Sequence, residues 1–230
     1  MNLRVDLCTY DAAKFAVTHW HYSKSMPGSK TFKVGAWEDD KFIGVVIFSW
    51  GTNSRIGRMF GLEMTQCVEL TRVALKHDHQ APVSRILSIA LKFLKKHNPG
   101  IECIVSYADC DQDHHGGIYQ ATNFYYLGAV EQNGGTPRLR IHGKVRHGRS
   151  VGSKYGTQQL DWIRSHVDPN AEKVITKGKH KYAYPLSSRV REICEELKQP
   201  FPKRGAASIA GDAAIDQIAE GGSIPTAALQ

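Results

Sequence analysis

The segment that most constrains the fold is an amphipathic helix enclosed by two strand-like runs. Residues 82–97 place apolar side chains on one helical face, at positions 83, 86, 87, 90, 91 and 94. Pro82 suits the first turn of this helix, and Pro99 follows its end. The apolar runs CVELTRVAL (67–75) and IECIVSYA (101–108) are typical of strands. The pattern therefore predicts a strand–helix–strand unit near the middle of the chain.

The residues on either side of this unit continue the alternation of strands and helices. Residues 3–8 alternate as a strand does, and residues 10–20 predict a helix. The runs 31–38 and 42–50, joined by an acidic turn, predict a hairpin. Residues 116–128 predict a short helix that a glycine stops. The predicted order up to this point is β-α-β-β-β-α-β-α.

Beyond residue 134 the composition changes, and the chain divides into three segments. The predicted elements are a strand-like arm over 138–147, a helix over 153–167, a strand over 179–186 and a helix over 187–199. The last residues are rich in Gly and Ala and lack aromatic side chains, which predicts a flexible tail. We therefore expect a core over 1–134, a basic part over 135–202 that packs on the core, and a tail over 203–230.

Positive charge is concentrated in one third of the chain. Residues 1–134 carry a net charge of +1 and residues 205–230 one of −3, whereas residues 135–204 carry +10. A charge confined in this way favours a surface that binds a polyanion. The candidates for contacts with DNA lie in a stretch without acidic residues and are Arg138, Arg140, Lys144, Arg146, Arg149 and Lys154.

Cysteine spacing and hydropathy exclude several classes of protein. The five cysteines are scattered, with no C-x-x-C pair, which argues against a disulfide framework and against a zinc knuckle. The apolar runs are too short to span a bilayer, and the N-terminal residues lack the apolar core of a signal peptide. We expect a cytoplasmic protein that does not bind membranes.

A polar stretch after the strand at 101–108 contains a dense set of reactive side chains. Asp109 ends the strand and is followed by Asp111, Asp113, His114 and His115. One interpretation is a metal cluster, which predicts a magnesium- or manganese-dependent nuclease. The other is a turn, because Asp is a common turn former and cap before a helix. The local pattern favours the turn.

At low resolution the element order resembles the GNAT acyltransferase superfamily. The likeness rests on the strand ending in ELTRVAL, the helix after it, and the strand and helix that carry IYQATNFYYLG. It implies an α/β (α+β) fold with a GNAT-like central mixed, mostly antiparallel sheet flanked by helices, here with a basic C-terminal extension. It also implies an acyl donor such as acetyl-CoA, bound near the N-terminus of the helix over 82–97. The candidate residues for binding this donor are Val73, Leu75, Ser84 and Arg85. Residues 76–85 lack the glycine loop R/Q-x-x-G-x-G/A of that superfamily, which argues against ordinary coenzyme A binding.

At higher resolution the chain resembles the bacteriophage Mom family of DNA-modification proteins over residues 2–190. The number, order and spacing of the shared motifs make the resemblance specific. The motifs are WHYSKSMP (20–27), GAWEDDKFIGVVIF (35–48), FGL (60–62), CVELTRVAL (67–75), PVSRILSIAL (82–91), VSYAD (105–109) and HHGGIYQATN (114–123).

The Mom resemblance implies an enzyme that adds a carbamoylmethyl group to the exocyclic amine of adenine in phage DNA and so protects it from host restriction. It implies iron, with His21, Tyr22, Asp109 and Tyr119 as catalytic residues and candidate metal ligands. The partner is then double-stranded DNA with the adenine turned out of the helix, and a homodimer is compatible with the sequence. The implied product is joined to adenine through a methylene carbon, so simple acetyl transfer leaves the wrong bond.

Three other functions stay open on the residues alone. They are a conventional GNAT acetyltransferase acting on a protein or small-molecule amine, the metal-dependent nuclease, and a DNA-binding module without catalysis. Glu69 and Arg72 are polar residues within an apolar strand. They predict either a structural ion pair or the positioning of a substrate.

Overall fold

The computed structural model describes residues 1–51, 53, 55–130, 138–174 and 177–203. Ten strands and six helices form in this part of the chain. In order they are β1 (Leu3–Leu7), α1 (Tyr10–Trp20), β2 (Thr31–Glu38), β3 (Lys41–Ser49), β4 (Cys67–Leu75), α2 (Val83–His97), β5 (Cys103–Asp109), α3 (Gly117–Gln120), β6 (Tyr125–Val130), β7 (Arg138–Ile141), β8 (Lys144–His147), α4 (Gly148–Tyr155), α5 (Leu160–His166), β9 (Glu172–Val174), β10 (Lys179–Pro185) and α6 (Ser188–Leu197).

The chain divides into two compact units, and the boundary differs from the predicted one. Among the described residues, those up to 130 and those over 178–202 form the first unit, and those between 138 and 177 belong to the second together with residue 203. The predicted division at residue 134 lies close to the first crossing. Residues 178–202, expected in the basic part, instead return to the first unit because β10 pairs with β5 and β6. The predicted tail lies, from residue 204 onward, outside the described residues.

The first unit is built on a seven-stranded sheet in the order β1-β2-β3-β4-β5-β10-β6. Only β4 and β5 run parallel, because α2 connects them as a crossover, and every other neighbouring pair is antiparallel. Helices cover both faces of this sheet. The predicted α/β fold with a mixed, mostly antiparallel sheet flanked by helices is confirmed.

Alternation along the strands assigns the helices to the two faces. Val46 and Phe48 of β3 pack in the cluster that contains the buried side of α2, whereas Val45 and Ile47 pack against α1. In β5, Ile104 points to the α2 cluster and Val105 to a third cluster that α6 completes through Val190 and Cys194. Helices α1 and α6 therefore lie on one face of the sheet, and α2 lies on the other.

The sheet parts between its two parallel strands. Strands β4 and β5 pair at only three positions, the last being Glu69 with Val105. A bulge at Thr71 then bends β4, since Phe48 of β3 faces Leu70 and Ile47 faces Arg72. Strand β5 remains paired with β10 along its whole length. Strand β4 thus follows β3 while β5 follows β10, and a gap opens between them.

The second unit has its own core. Strands β8, β7 and β9 form a three-stranded antiparallel sheet. Leu139 and Ile141 of β7 pack with Val151 of α4 and Ile163 of α5. Residues 138–177 hold nine Lys or Arg and three Asp or Glu, so this small unit is strongly basic.

Two predicted helices are wrong in extent, and backbone conformation gives the reason. The segment 116–128 is helical only over α3, because Asn123 adopts a positive φ and the aromatic residues after it form the edge strand β6. The segment 153–167 contains the end of α4 and a separate α5, because Gly156 ends α4 in the left-handed conformation. None of the helices in the described residues is long and apolar enough to cross a membrane.

A substitution at Gly44 tests how closely β3 and β4 pack. Its φ is +146°, and a Cβ there would lie 2.2 Å from the Ala74 carbonyl oxygen. We expect Gly44→Ala to lower the free energy of unfolding by more than about 1 kcal/mol, because the backbone must shift. Chemical denaturation measures it. The control is Gly100→Ala, whose added Cβ meets no atom within 4 Å, and equal stabilities for the two variants would contradict the prediction.

Candidate active site

Polar side chains collect where β4 and β5 part. On β4, Val68 and Leu70 pack in the α2 cluster, so Glu69 faces the α1 side. The extra residue at Thr71 restores this orientation for Arg72, which lies opposite Ile47 of the α1 cluster. The bulge therefore places Glu69 and Arg72 on the same face, three residues apart.

Arg72 is held by backbone carbonyls. Its Nε donates to the Ser25 carbonyl (3.1 Å), and its Nη1 donates to the Thr71 carbonyl (2.7 Å). Ser25 belongs to the loop after α1, so Arg72 fixes that loop against β4. A guanidinium bonded in this way keeps its positive charge close to the gap.

Glu69 is a half-buried carboxylate with cations nearby. Burial raises its pKa above the usual value, and the charges of Lys179 and Arg72 act in the opposite direction. The Glu69 carboxylate can lie here only because residue 51 is a glycine. A Cβ on residue 51 would lie 2.7 Å from Glu69 Oε2. Glu69 in turn helps burial to raise the pKa of Tyr107. Glu69 is therefore a partly desolvated carboxylate whose charge these two cations offset in part.

Tyr119 is buried on the α2 side of the gap. Its ring packs against Tyr182 and Phe124, with centroids 5.0 and 5.3 Å away. The pKa of Tyr119 is raised to about 12, and burial is the largest cause. The nearby Tyr22 and Glu69 also raise it, whereas a hydrogen bond with the Ser106 side chain lowers it. The Ser106 hydroxyl donates to the Leu70 carbonyl (2.9 Å), which links β5 to β4 just beyond their last pair.

His21 and Tyr22 lie immediately after α1 and face the same region. The two rings are 4.4 Å apart, and the Tyr22 ring meets the edge of His114 at 5.5 Å. His21 is buried whereas Tyr22 is 51% exposed. Burial, together with the charges of Arg72, His114 and Lys24, lowers the pKa of His21 to about 4. His21 is therefore neutral at pH 7.

Asp109 ends β5 and organises the turn that follows. Its Oδ1 accepts the N–H of Asp111 (3.1 Å), and its carbonyl accepts the N–H of His114 (3.2 Å). Asp113 closes this turn in the left-handed conformation. The Asp-rich stretch is thus a turn, as its local pattern favours, and it brings His114 against Tyr22.

The described residues give no support for the implied iron site. Imidazole, carboxylate and phenol are ligand types that iron accepts. However, His21 Nδ1 accepts the Ser23 N–H (3.1 Å) and lies 2.8 Å from Ser23 Oγ, so the neutral ring carries its proton on Nε2. In this state neither nitrogen offers a free lone pair. No group of three or more His, Cys, Asp or Glu among the described residues is placed to hold a metal ion.

The other predicted positions lie in separate places. Val73 and Leu75 occupy the last part of β4, and Ser84 and Arg85 lie in the first turn of α2. The six predicted DNA contacts all belong to the second unit, with Arg138 and Arg140 in β7, Lys144 and Arg146 in β8, and Arg149 and Lys154 in α4.

Sequence reasoning missed Lys179 and Gly51. Because β10 pairs with β5, Lys179 lies opposite Asp109, and its charge there lowers the pKa of Glu69, a residue 110 positions away in the sequence. No local pattern signals such a pairing. Glu69 and Arg72 did carry a usable signal, since each interrupts an apolar strand, and the predicted alternatives were an ion pair or a positioning role.

Comparison with known proteins identifies the family. Residues 2–203 match the Mom protein family. The chain belongs to this family. The methylcarbamoylase Mom of Escherichia phage Mu is 27% identical over 211 residues, which cover 88% of this chain and 84% of that protein.

Solved acetyltransferases share part of the arrangement. A Bacillus subtilis acetyltransferase in complex with CoA is 16% identical, with a TM-score of 0.48 over 81% of this chain and 100% of that one. A GNAT family acetyltransferase from Elizabethkingia anophelis with acetyl-CoA bound is 12% identical, with a TM-score of 0.43 over 80% of this chain and 99% of that one.

The pKa of Glu69 gives a pH-dependent prediction. A carboxyl group whose folded-state pKa is raised stabilises the fold below its unfolded pKa, and this stability is lost as pH rises through the folded pKa. The usual value is 4.5. We therefore expect Glu69→Gln to gain stability relative to the natural chain as pH rises from 4 to 7. Denaturation at several pH values measures it, with the exposed Glu196→Gln as control. A difference that does not change with pH would contradict this.

Proposed function

We propose that this Mom-family protein is a transferase that adds a carbamoylmethyl group to the exocyclic amine of adenine in phage DNA. The observation that carries the proposal is the match to the phage Mu methylcarbamoylase over 88% of the chain. Protection of phage DNA from host restriction in the bacterial cytoplasm follows from this activity.

The gap between β4 and β5 suits an extruded base. An adenine amine cannot reach a protein pocket while the base is stacked, so the nucleotide must turn out of the duplex. Tyr22 is an aromatic ring half exposed at this gap, beside the ring of His21. Stacking of a base on such a ring contributes about 1–3 kcal/mol. We assign Tyr22 this stacking role.

The reaction needs a group that removes a proton. The exocyclic amine is a weak nucleophile because its lone pair is delocalised into the ring. It loses a proton when the new bond from nitrogen to the methylene carbon forms and the bond from that carbon to the leaving part of the donor breaks. Asp109 and Glu69 are the carboxylates on the α1 side of the gap, at the end of β5 and on β4. We assign proton removal to Asp109 and charge balance at the site to Glu69, whose neighbours are Lys179 and Arg72.

The second unit supplies the charge for the DNA backbone. Within the predicted set, Arg149 and Lys154 are exposed on α4, and Lys144 is exposed on β8. Arg140 forms an ion pair with Glu172, and Arg146 is half-buried. Lys144, Arg149 and Lys154 are therefore the residues we expect to contact phosphates most directly, and two of them share helix α4.

Mass spectrometry of nucleosides from plasmid DNA tests the proposed activity. Plasmid DNA from cells that express the natural chain should contain deoxyadenosine that is heavier by one carbamoylmethyl group. Asp109→Asn should lower this product by roughly a hundredfold or more, because it removes the proton acceptor. Tyr119→Phe, which removes the phenol hydroxyl that bonds to the Ser106 side chain at this gap, should lower the product as well.

Asp113→Asn is the matched control for this experiment. Asp113 lies in the same turn and in the left-handed conformation, which Asn adopts readily. It should keep full activity. Unmodified adenosine from a soluble natural chain would contradict the proposal and favour an acetyltransferase acting on another amine, whereas cut plasmid would favour the nuclease.

Salt dependence tests the assigned DNA contacts. The double variant Arg149→Gln/Lys154→Gln should bind duplex DNA more weakly, and the slope of log K against log salt should fall by about one for each lost phosphate contact. Fluorescence anisotropy at several salt concentrations measures both. The control is Lys41→Gln, at an acidic turn of the first unit. A slope equal to that of the natural chain would exclude the assignment.

A further inference from the structure

Strand β1 lies at one edge of the seven-stranded sheet. Among the described residues it comes first in the sheet order and pairs only with β2, from Leu3 with Glu38 to Leu7 with Val34, without a bulge. Its sequence, LRVDL, contains neither proline nor lysine. Proline, lysine and bulges are the common means by which proteins protect an edge strand from pairing with another chain. The outer side of β1 is therefore able to pair with a further strand.

The opposite edge of the sheet, β6, is covered in part by the chain itself. The N–H of Gln199, which follows α6, donates to the carbonyl of Tyr126 (2.8 Å). The Gln199 side chain also lies against Gly128, where an added Cβ would meet its Oε1 at 2.8 Å. In the described part of the chain, no backbone N–H from another segment reaches the outer side of β1 in this way. The two edges of the sheet therefore differ.

The backbone groups of alternate residues in β1 point away from the sheet. Just before β1, the Asn2 carbonyl accepts the Asp39 N–H (2.9 Å), and just after it the Cys8 N–H donates to the Lys33 carbonyl (3.3 Å). Residues 2 and 8 thus direct these groups towards β2, and the even-numbered residues between them do the same. The N–H and carbonyl groups of the odd-numbered residues point outward, and these residues are Leu3, Val5 and Leu7.

The side chains of β1 form two rows of different chemistry. Leu3 and Val5 pack against the α2 cluster, and alternation places Leu7, which is 50% exposed, on the same face. Arg4 and Asp6 are exposed on the other face. The strand is therefore self-complementary, because one cation and one anion stand at equal distances on either side of Val5.

We propose that β1 is a surface for self-association, through which two copies of this chain pair antiparallel with Val5 at the centre. In this register Leu3 lies opposite the partner's Leu7, and Arg4 lies opposite the partner's Asp6. Each outward N–H and carbonyl group of the odd-numbered residues then gains a hydrogen-bond partner. A parallel pairing in register would instead place like charges side by side, which is unfavourable.

The pairing is complementary on both faces of the strand. On the α2 side, the apolar residues of the two copies form one continuous row. On the other side, Arg4 and the partner's Asp6 occupy a position without backbone hydrogen bonds, where Cβ atoms are about 4.5–5.5 Å apart. The Arg4 guanidinium already lies on this face, 4.0 Å from the centroid of the Trp37 ring.

One hydrogen bond of the single chain changes on association. The Leu7 N–H, which points outward, donates to Asp6 Oδ1 (2.7 Å). In the pair it donates to the carbonyl of the partner's Leu3 instead, and the Asp6 carboxylate becomes available to the partner's Arg4. The short range of this local bond keeps the edge satisfied in the single chain, so the association is reversible.

Charge reversal followed by mixing tests the pairing. Sedimentation velocity of the purified full chain at low salt should show a monomer–dimer equilibrium within roughly 1–100 μM, because two short strands form a small interface. Arg4→Asp places acids opposite each other and Asp6→Arg places bases opposite each other, so each variant alone should dimerise roughly tenfold more weakly. An equal mixture of the two should restore the dimer, because opposite charges then meet at both positions.

Two further variants complete the experiment. Lys14→Asp makes the same charge change as Arg4→Asp on the exposed side of α1, and it should dimerise as the natural chain does. Val5→Pro removes an outward N–H without removing a hydrogen bond to β2, so it should fold and remain monomeric. Melting temperatures identify any variant that fails to fold, and the mixture then decides between loss of fold and loss of pairing.

Three results would overturn the proposal. They are a natural chain that stays monomeric over this range, a dimer that neither charge reversal weakens, and a mixture that forms no more dimer than its two components alone. The experiment does not depend on the proposed function. Strands β2 and β3 separate β1 from the gap between β4 and β5, and the nucleoside measurement decides on the modification of adenine whether or not the chain dimerises.

Discussion

The parting of β4 from β5 is the constraint on which the candidate site depends. Three pairs join these strands, and the bulge at Thr71 then turns β4 away. A continuous sheet would fill this space with backbone hydrogen bonds and apolar side chains. The gap instead admits hydroxyl, carboxylate and phenol groups, and the Ser106–Leu70 hydrogen bond joins the two strands where their pairing ends. The same bulge brings Glu69 and Arg72 to one face.

The polar groups around the gap have a cost that their neighbours offset. A half-buried carboxylate is destabilised by desolvation, as the raised pKa of Glu69 indicates, and Lys179 and Arg72 compensate in part. Neutral groups are handled differently. His21 is buried and neutral, and the Ser23 N–H satisfies its Nδ1. The site therefore combines one charged cluster on the α1 side with aromatic and hydroxyl groups on the α2 side.

Glu38 supplies an anion from within the chain to the loop before α2. The loop before α2 presents two backbone amides to an anion, and the chain supplies that anion from β2. Such a contact also stabilises the loop, because it satisfies donors that would otherwise need water or a ligand. The order of the sheet and the conformation of this loop are thus linked through the same hydrogen bonds.

The sequence by itself determined the elements whose signals are local. The apolar face of α2, the strand runs of β2, β4 and β5, and the turn after Asp109 all follow from periodicity and turn chemistry, and the shared motifs carried the family resemblance. Local signals also mislead. The sequence predicts that the helix continues through the aromatic residues of β6, whereas the positive φ of Asn123 ends the helical segment before them.

Only the tertiary structure decided which distant residues meet. Lys179 reaches Glu69 through the pairing of β10 with β5, and Glu38 reaches the loop before α2 through the order of the sheet. These contacts are set by strand order and register, which depend on packing over the whole unit. A single sequence does not encode that packing in any local pattern.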